Sequence, residues 1–183
     1  MLRVGDGARL VFLFDQFASG LYQTAIEVTD TSGKILGGWI HQETLDIGVS
    51  WSADGQVIVY GSDFAGGGID IYKSDIAAKN QVALTLGWCA YATAESPDGL
   101  HIAFIGGPVS ASSGCAGTLG PHKVYLMDLD GNNITAITGV GATGTPTWSP
   151  DSQLIGIDQG LMNADGTDLV KINGGAEGRF AWR

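Results

Sequence analysis

Ser96-Pro97-Asp98-Gly99-Leu100-His101-Ile102-Ala103-Phe104-Ile105 decides the fold. It reads as a tight turn that runs straight into an apolar, β-branched and aromatic strand. Pro presets the turn backbone, and Asp and Gly accept the conformations that hairpins demand. The unit recurs. Val4-Gly5-Asp6-Gly7 precedes Leu10 to Phe14, Ser52-Ala53-Asp54-Gly55 precedes Val57 to Tyr60, and Ser149-Pro150-Asp151-Ser152 precedes Leu154 to Ile157. Asp6, Asp54, Asp98 and Asp151 are spaced by 48, 44 and 53 residues. A turn-then-strand unit at such a period predicts an array of small sheets.

Each unit parses into four strands, A to D. The repeated turn joins A to B. Strand C is read at Tyr22 to Val28, Ile69 to Tyr72, Lys123 to Met127 and Leu161-Met162. A second turn follows in three units: Asp30-Thr31-Ser32-Gly33, Asp128-Leu129-Asp130-Gly131 and Asn163-Ala164-Asp165-Gly166. Strand D then runs through residues 34–36, 81–86, 133–138 and 168–172. Trp51 and Trp148 stand three residues before their turn aspartates, and Glu95 takes that place in the third unit. Phe180-Ala181-Trp182-Arg183 resembles the approach to a fifth turn. The recurrence of Trp51, Trp148 and Trp182 at one structural position predicts packing between units.

These units resemble the Ser-Pro-Asp-Gly, WD-like repeats of the TolB-like β-propellers. Trp148-Ser149-Pro150-Asp151 and Ser96-Pro97-Asp98-Gly99 match best, then Trp51-Ser52-Ala53-Asp54-Gly55. Tyr125-Leu126-Met127-Asp128-Leu129-Asp130-Gly131 matches the second half of the repeat. The resemblance implies an all-β propeller, and the four units counted along the chain predict about four four-stranded antiparallel blades in one domain, residues 1–183. The blades are placed at 1–46, 47–89, 90–143 and 144–177. Residues 178–183 are expected to pair beside Arg9 to Phe14 and complete the first blade. The alternative is a part of a larger, six- to eight-bladed ring.

Composition bounds the function. The 183 residues suffice for one core. The 29 glycines are about twice the usual share, as short strands joined by tight turns require. Nine Lys and Arg against 19 Asp and Glu leave a net charge of −10, which speaks against nucleic acid and anionic membranes as partners. No uncharged apolar run reaches the ~18 residues of a membrane span. Met1-Leu2-Arg3-Val4-Gly5-Asp6 does not read as a signal peptide. The compartment therefore stays open: cytosolic, or, as the family resemblance implies, periplasmic or extracellular with a leader missing from this sequence. Cys89 and Cys115 are either a disulfide or a buried cysteine and a loop thiol.

Strand direction puts the A–B and C–D turns on one face and the variable B–C and D–A connections on the other. Variable loops on a rigid frame are where binding concentrates. The B–C loops are read at 15–20, 62–68, 106–122 and 159–160. The candidate binding residues on this face are Asp15, Phe17, His41, Asp63, Phe64, Trp88, His122 and Arg179. Asp15-Gln16-Phe17-Ala18 and Asp63-Phe64-Ala65-Gly66 share a theme that suits either a patch at a channel mouth or caps on the blade cores.

Catalytic signatures are weak. Gly139-Val140-Gly141-Ala142-Thr143-Gly144 fits the letters of a dinucleotide fingerprint, but it leads into a strand and not a helix. Asp128 to Asn133 lacks the glycine and glutamate of an EF-hand. His41, His101 and His122 are scattered, without zinc spacing. No cofactor and no metal are expected. The reading is a non-catalytic scaffold that binds a protein or peptide. The alternatives are the propeller of a larger enzyme, such as a prolyl-oligopeptidase-like hydrolase, or a propeller lyase.

Overall fold

A computed structural model describes residues 2–3, 9–18, 20–42, 46–64, 67–109, 115, 122–139, 141–142, 144–172 and 182. They form four antiparallel sheets of four strands each, in chain order. The first comprises β1 (Leu2–Arg3), β2 (Arg9–Ala18), β3 (Leu21–Asp30) and β4 (Ile35–Gln42). The second comprises β5 (Asp46–Trp51), β6 (Ile58–Ser62), β7 (Asp70–Ser74) and β8 (Val82–Ala83). The third comprises β9 (Trp88–Glu95), β10 (His101–Pro108), β11 (Lys123–Asp128) and β12 (Thr135–Ala136). The fourth comprises β13 (Thr147–Trp148), β14 (Leu154–Ile157), β15 (Gly160–Asn163) and β16 (Val170–Lys171). Each sheet is a meander, the blade of a propeller.

The repeated turn is locked by its own side chains. Ser52 Oγ donates to Asp54 Oδ1 at 2.6 Å and accepts from the amide of Val57 at 3.0 Å. Asp54 Oδ1 also accepts from Gln56 N at 2.9 Å. The third turn repeats the scheme through Ser96, Asp98, Leu100 and His101, and the fourth through Ser149, Asp151, Gln153 and Leu154. The residue after the aspartate is left-handed, at φ 66° in Gly55 and 68° in Gly99. In the fourth copy Ser152 holds that conformation, at φ 60°, and its Oγ accepts from Asp98 N of the preceding sheet at 3.0 Å. An inter-sheet bond thus offsets the strain of a side chain in this region.

The second turn occurs in all four sheets. In the second sheet it runs through Asp75 to Lys79, where Asp75 Oδ1 accepts from Ala77 N and Lys79 N and Ala78 takes φ 54°. Alanine in the glycine position hides this copy from a sequence reading.

Packing follows strand alternation. Val11, Ile26 and Val28 of the first sheet meet Trp51, Ile58 and Tyr60 of the second. The other face of the second sheet, Val59 and Ile71, meets Ala90, Ile102 and Phe104 of the third. Ala103, Ile105 and Val124, on the far side of the third, meet Trp148, Ile155, Ile157 and Met162 of the fourth. β6 is buried along its whole length, so it reads as a continuous apolar run. β5 packs on β9 and β9 on β13, which places the first strands together on the inside.

Two expectations change. The fourth strand of the first sheet is Leu2–Arg3, which pairs with Leu10 and Val11. It holds the place assigned above to residues 178–183, of which only Trp182 is described. The expected loop at 15–20 is largely strand, because β2 and β3 stay paired as far as Ala18 and Leu21. Outside the three clusters, the outer face of the first sheet shows Phe14, Ile35 and Ile40 at 42, 62 and 55% exposure, and no cluster among the described residues covers them.

The turn locks set an acid limit. The serine hydroxyls hold the carboxyls of Asp54, Asp98 and Asp151 below the ordinary aspartate range. A carboxyl depressed in the folded state adds stability above its unfolded pKa of about 4, and this is lost as pH falls through the folded value. We therefore expect the melting temperature to hold above about pH 4 and to fall steeply below it. Asp98→Asn should lower the neutral-pH plateau and flatten the acid limb, as read by thermal melts between pH 2.5 and 7.

Candidate functional site

The B–C and D–A connections share one face, and His41 and Phe64 converge there. His41 lies near the end of β4, and Phe64 follows β6 in the short loop to β7. Their rings stack at 5.3 Å between centroids and 25° between planes. Tyr72 meets Phe64 edge-on at 6.3 Å. Tyr60 packs on Trp39 at 5.4 Å and on Tyr72 at 5.9 Å. The result is a bed of rings from the first two sheets, buried at Tyr60 and Tyr72 and capped by Phe64, which is 60% exposed.

Local bonds fix the cap. Ser62 Oγ accepts from Phe64 N at 3.3 Å, so the loop turns at once after β6. Gln81 Nε2 stands 3.3 Å from His41 Nε2. Trp39 Nε1 is buried without a hydrogen-bond partner. An unmet buried donor costs about 1–3 kcal/mol, and such groups are rare enough in native proteins to call for an explanation. Asp63 lies beside the cap, half-buried.

The other candidate residues whose side chains are described lie elsewhere. Trp88 meets Phe104 at 5.5 Å and Tyr125 at 4.9 Å, both edge-on, as part of the packing between the second and third sheets. Asp15 is exposed on β2, where Thr24 Oγ1 donates to it at 3.4 Å. His122 rests against Tyr91 at 4.8 Å, and its carbonyl accepts from Gly141 N and Ala142 N. Phe17 lies in β2, and its side chain is outside the described residues, as is Arg179. Of the two stretches that share the Asp–Phe theme, Asp15 to Ala18 is strand, while Asp63 and Phe64 follow β6 and Ala65-Gly66 lie outside the described residues.

A carboxylate missed by the sequence reading organises this face. Asp70 is 3% exposed. It accepts from Thr85 Oγ1 at 2.8 Å, from Trp88 N at 3.1 Å and from Gly87 N at 3.1 Å. It thereby ties the start of β7 to the connection that enters the third sheet. Ile69 forms a bridge with Cys89 beside it. Cys89 is joined to Cys115 as a disulfide, with Cα atoms 5.4 Å apart, which ties Cys115 to β9. The signal available in the sequence was a lone aspartate between Ile69 and Ile71. Among the described residues no group of three His, Cys, Asp or Glu side chains is placed to hold a metal ion.

No protein-family model matches the chain, and no curated protein matches it. Among solved structures it is similar to TolB from Acinetobacter baumannii at 22% identity and a TM-score of 0.63, covering 90% of this chain and 40% of that one. It is similar to an oligogalacturonate lyase from Vibrio parahaemolyticus at 17% identity and a TM-score of 0.60, covering 96% of this chain and 52% of that one. It is also similar to a puromycin-hydrolyzing peptidase from Mycobacterium tuberculosis at 10% identity and a TM-score of 0.62, covering 88% of this chain and 26% of that one. These likenesses show a propeller fold of the TolB-like kind and nothing of chemistry. The chain spans about half or less of the length of each structure it matches.

Cross-linking at a separation of 26 residues stabilises by about 3.5 kcal/mol in the chain-entropy account. Reduction with dithiothreitol, or Cys115→Ser, is expected to lower the unfolding free energy from urea titration by a matching amount, and the midpoint with it. An unchanged midpoint after reduction would show that the bond does not constrain the unfolded chain.

Proposed function

We propose that the chain is a non-catalytic propeller scaffold that binds a protein or peptide segment on the loop face around Phe64. The observation that carries this reading is the stacked His41–Phe64 pair, exposed at Phe64 and backed by buried rings. A rigid aromatic cap offers contact area at low entropic cost, the usual make-up of a binding hot spot. The adjoining Asp63 and the net charge of −10 favour a segment whose apolar anchor is flanked by basic residues. The disulfide supports a location outside a reducing cytosol. Fold likeness alone supports no choice, because the neighbours include a TolB protein, a lyase and a peptidase.

Panning the protein against a random peptide library on phage tests this reading. The expected peptides carry an aromatic or aliphatic anchor beside Lys or Arg. Phe64→Ala should weaken them about tenfold or more and leave the melting temperature within a few degrees. Peptides that bind Phe64→Ala as tightly as the parent would overturn it.

A second reading, that the four sheets belong to a larger propeller such as that of a hydrolase or lyase, is favoured by the outer face of the first sheet. Phe14, Ala25 and Ile40 sit in one cross-strand row there, the pattern that the inner sheets bury against a neighbour. On this reading the 183-residue chain associates with itself in sedimentation velocity, and Ile40→Lys reduces that association. A chain that stays monomeric at high concentration counts against it.

A further inference from the structure

The interfaces between sheets repeat two positions: the first fills them with Arg9 and Trp51, the third with His101 and Trp148, and the middle one with neither a ring nor a cation. In the first, Arg9 lies three residues after the turn aspartate of one unit, and Trp51 three residues before that of the next. The Arg9 guanidinium sits 5.1 Å from the centre of the Trp51 ring, and its Nη2 donates to Gly55 O of the neighbouring turn at 2.9 Å. In the third, Trp148 fills the same place, and its Nε1 donates to Ala94 O at 2.9 Å. In the middle interface the equivalent positions hold Val57 and Glu95. Those two positions therefore carry neither the guanidinium nor the ring.

A cavity of about 400 Å³ lies at this point. Val57, Val59 and Ile102 form its apolar wall, with Lys73, Glu95 and Gly99 also on its lining. Glu95 Oε1 accepts from Ala53 N at 2.8 Å, which holds the carboxylate across the gap between sheets. Gly99 occupies in the third turn the place of Gly55 in the second, so its carbonyl is the counterpart of the acceptor that Arg9 uses. Asp54 and Asp98 add carboxylates to the lining, against one cation among the described residues, Lys73, whose Nζ donates to Leu129 O at 3.1 Å.

We propose that this cavity binds a guanidinium group, as the side chain of an arginine from another molecule or as a small alkylguanidine. The bound group takes the place that Arg9 fills one interface earlier. It donates to the free oxygen of Glu95 and to Gly99 O, and lays its alkyl stem on Val57 and Ile102. The fork of guanidinium donors suits a carboxylate and a carbonyl together, which an ammonium ion cannot match. The cavity lies on the tight-turn face, so the inference stands apart from the Phe64 surface.

Titration calorimetry at low salt tests it, with ethylguanidinium, ethylammonium and the capped peptide acetyl-Gly-Arg-Gly-amide as probes. Saturable binding of ethylguanidinium is expected, tighter than that of ethylammonium. Glu95→Gln should weaken it about tenfold or more, because a charge-assisted bond is lost. Glu95→Trp should abolish binding by restoring the repeated ring. Should that variant not fold, Val57→Arg provides its own guanidinium, and is expected to block the probe and raise the melting temperature. Tighter binding of the peptide than of ethylguanidinium identifies a protein side chain as the occupant, and the reverse identifies a small molecule. No saturable binding by the parent chain, equal binding of the two cations, or unchanged binding in Glu95→Gln would each overturn the proposal.

Discussion

A four-stranded sheet of this size has two apolar faces and cannot bury either by itself. That constraint organises the molecule. β6 and the stretch Ile102 to Gly106 of β10 expose almost nothing on either side, because the second and third sheets each serve as the wall of one interface and the floor of the next. Burial of about 25 cal/mol per Å² on both faces offsets the ordering of very short strands, some of them only two residues long. The tryptophans at the repeated position fill the inner edge of this packing, and their loss at one interface leaves a hole because the backbone spacing is set by the other strands.

The turns supply the second condition, that the strands arrive in register. A serine hydroxyl that gives its proton to a carboxylate and takes one from the next strand closes the hairpin before any sheet contact is needed. The lock explains why the Ser-x-Asp motif recurs while the strands around it vary. It also explains why a serine survives at φ 60° in the last copy, where its hydroxyl reaches across to the third sheet.

The four sheets and most of their strands were legible because they rest on local chemistry: turn residues at fixed offsets, each followed by an apolar run. Less was legible where the signal is a departure from pattern. Ala78 in a glycine position concealed a turn. The first strand of the first sheet is two residues before a turn that the sequence appeared to begin with. Of the residues singled out on the loop face, His41 and Phe64 meet, and Trp88 turns into the core, because that face is assembled from connections whose lengths carry no directional information. Asp70 escaped notice since a single carboxylate among isoleucines looks like a strand end until its three donors are seen. Glu95 was visible as an irregularity, but only the cavity beside it gives the irregularity a meaning.

Every cluster in the core joins two consecutive sheets, and among the described residues none joins three. Cooperativity then passes from neighbour to neighbour along the chain, as in linear repeat arrays. Damage at one junction weakens two units and spares the rest. Hydrogen exchange should grade from slow in β6 and β10 to fast in the outlying sheets. Such a frame tolerates the redesign of a single junction, which leaves each seam free to acquire its own chemistry.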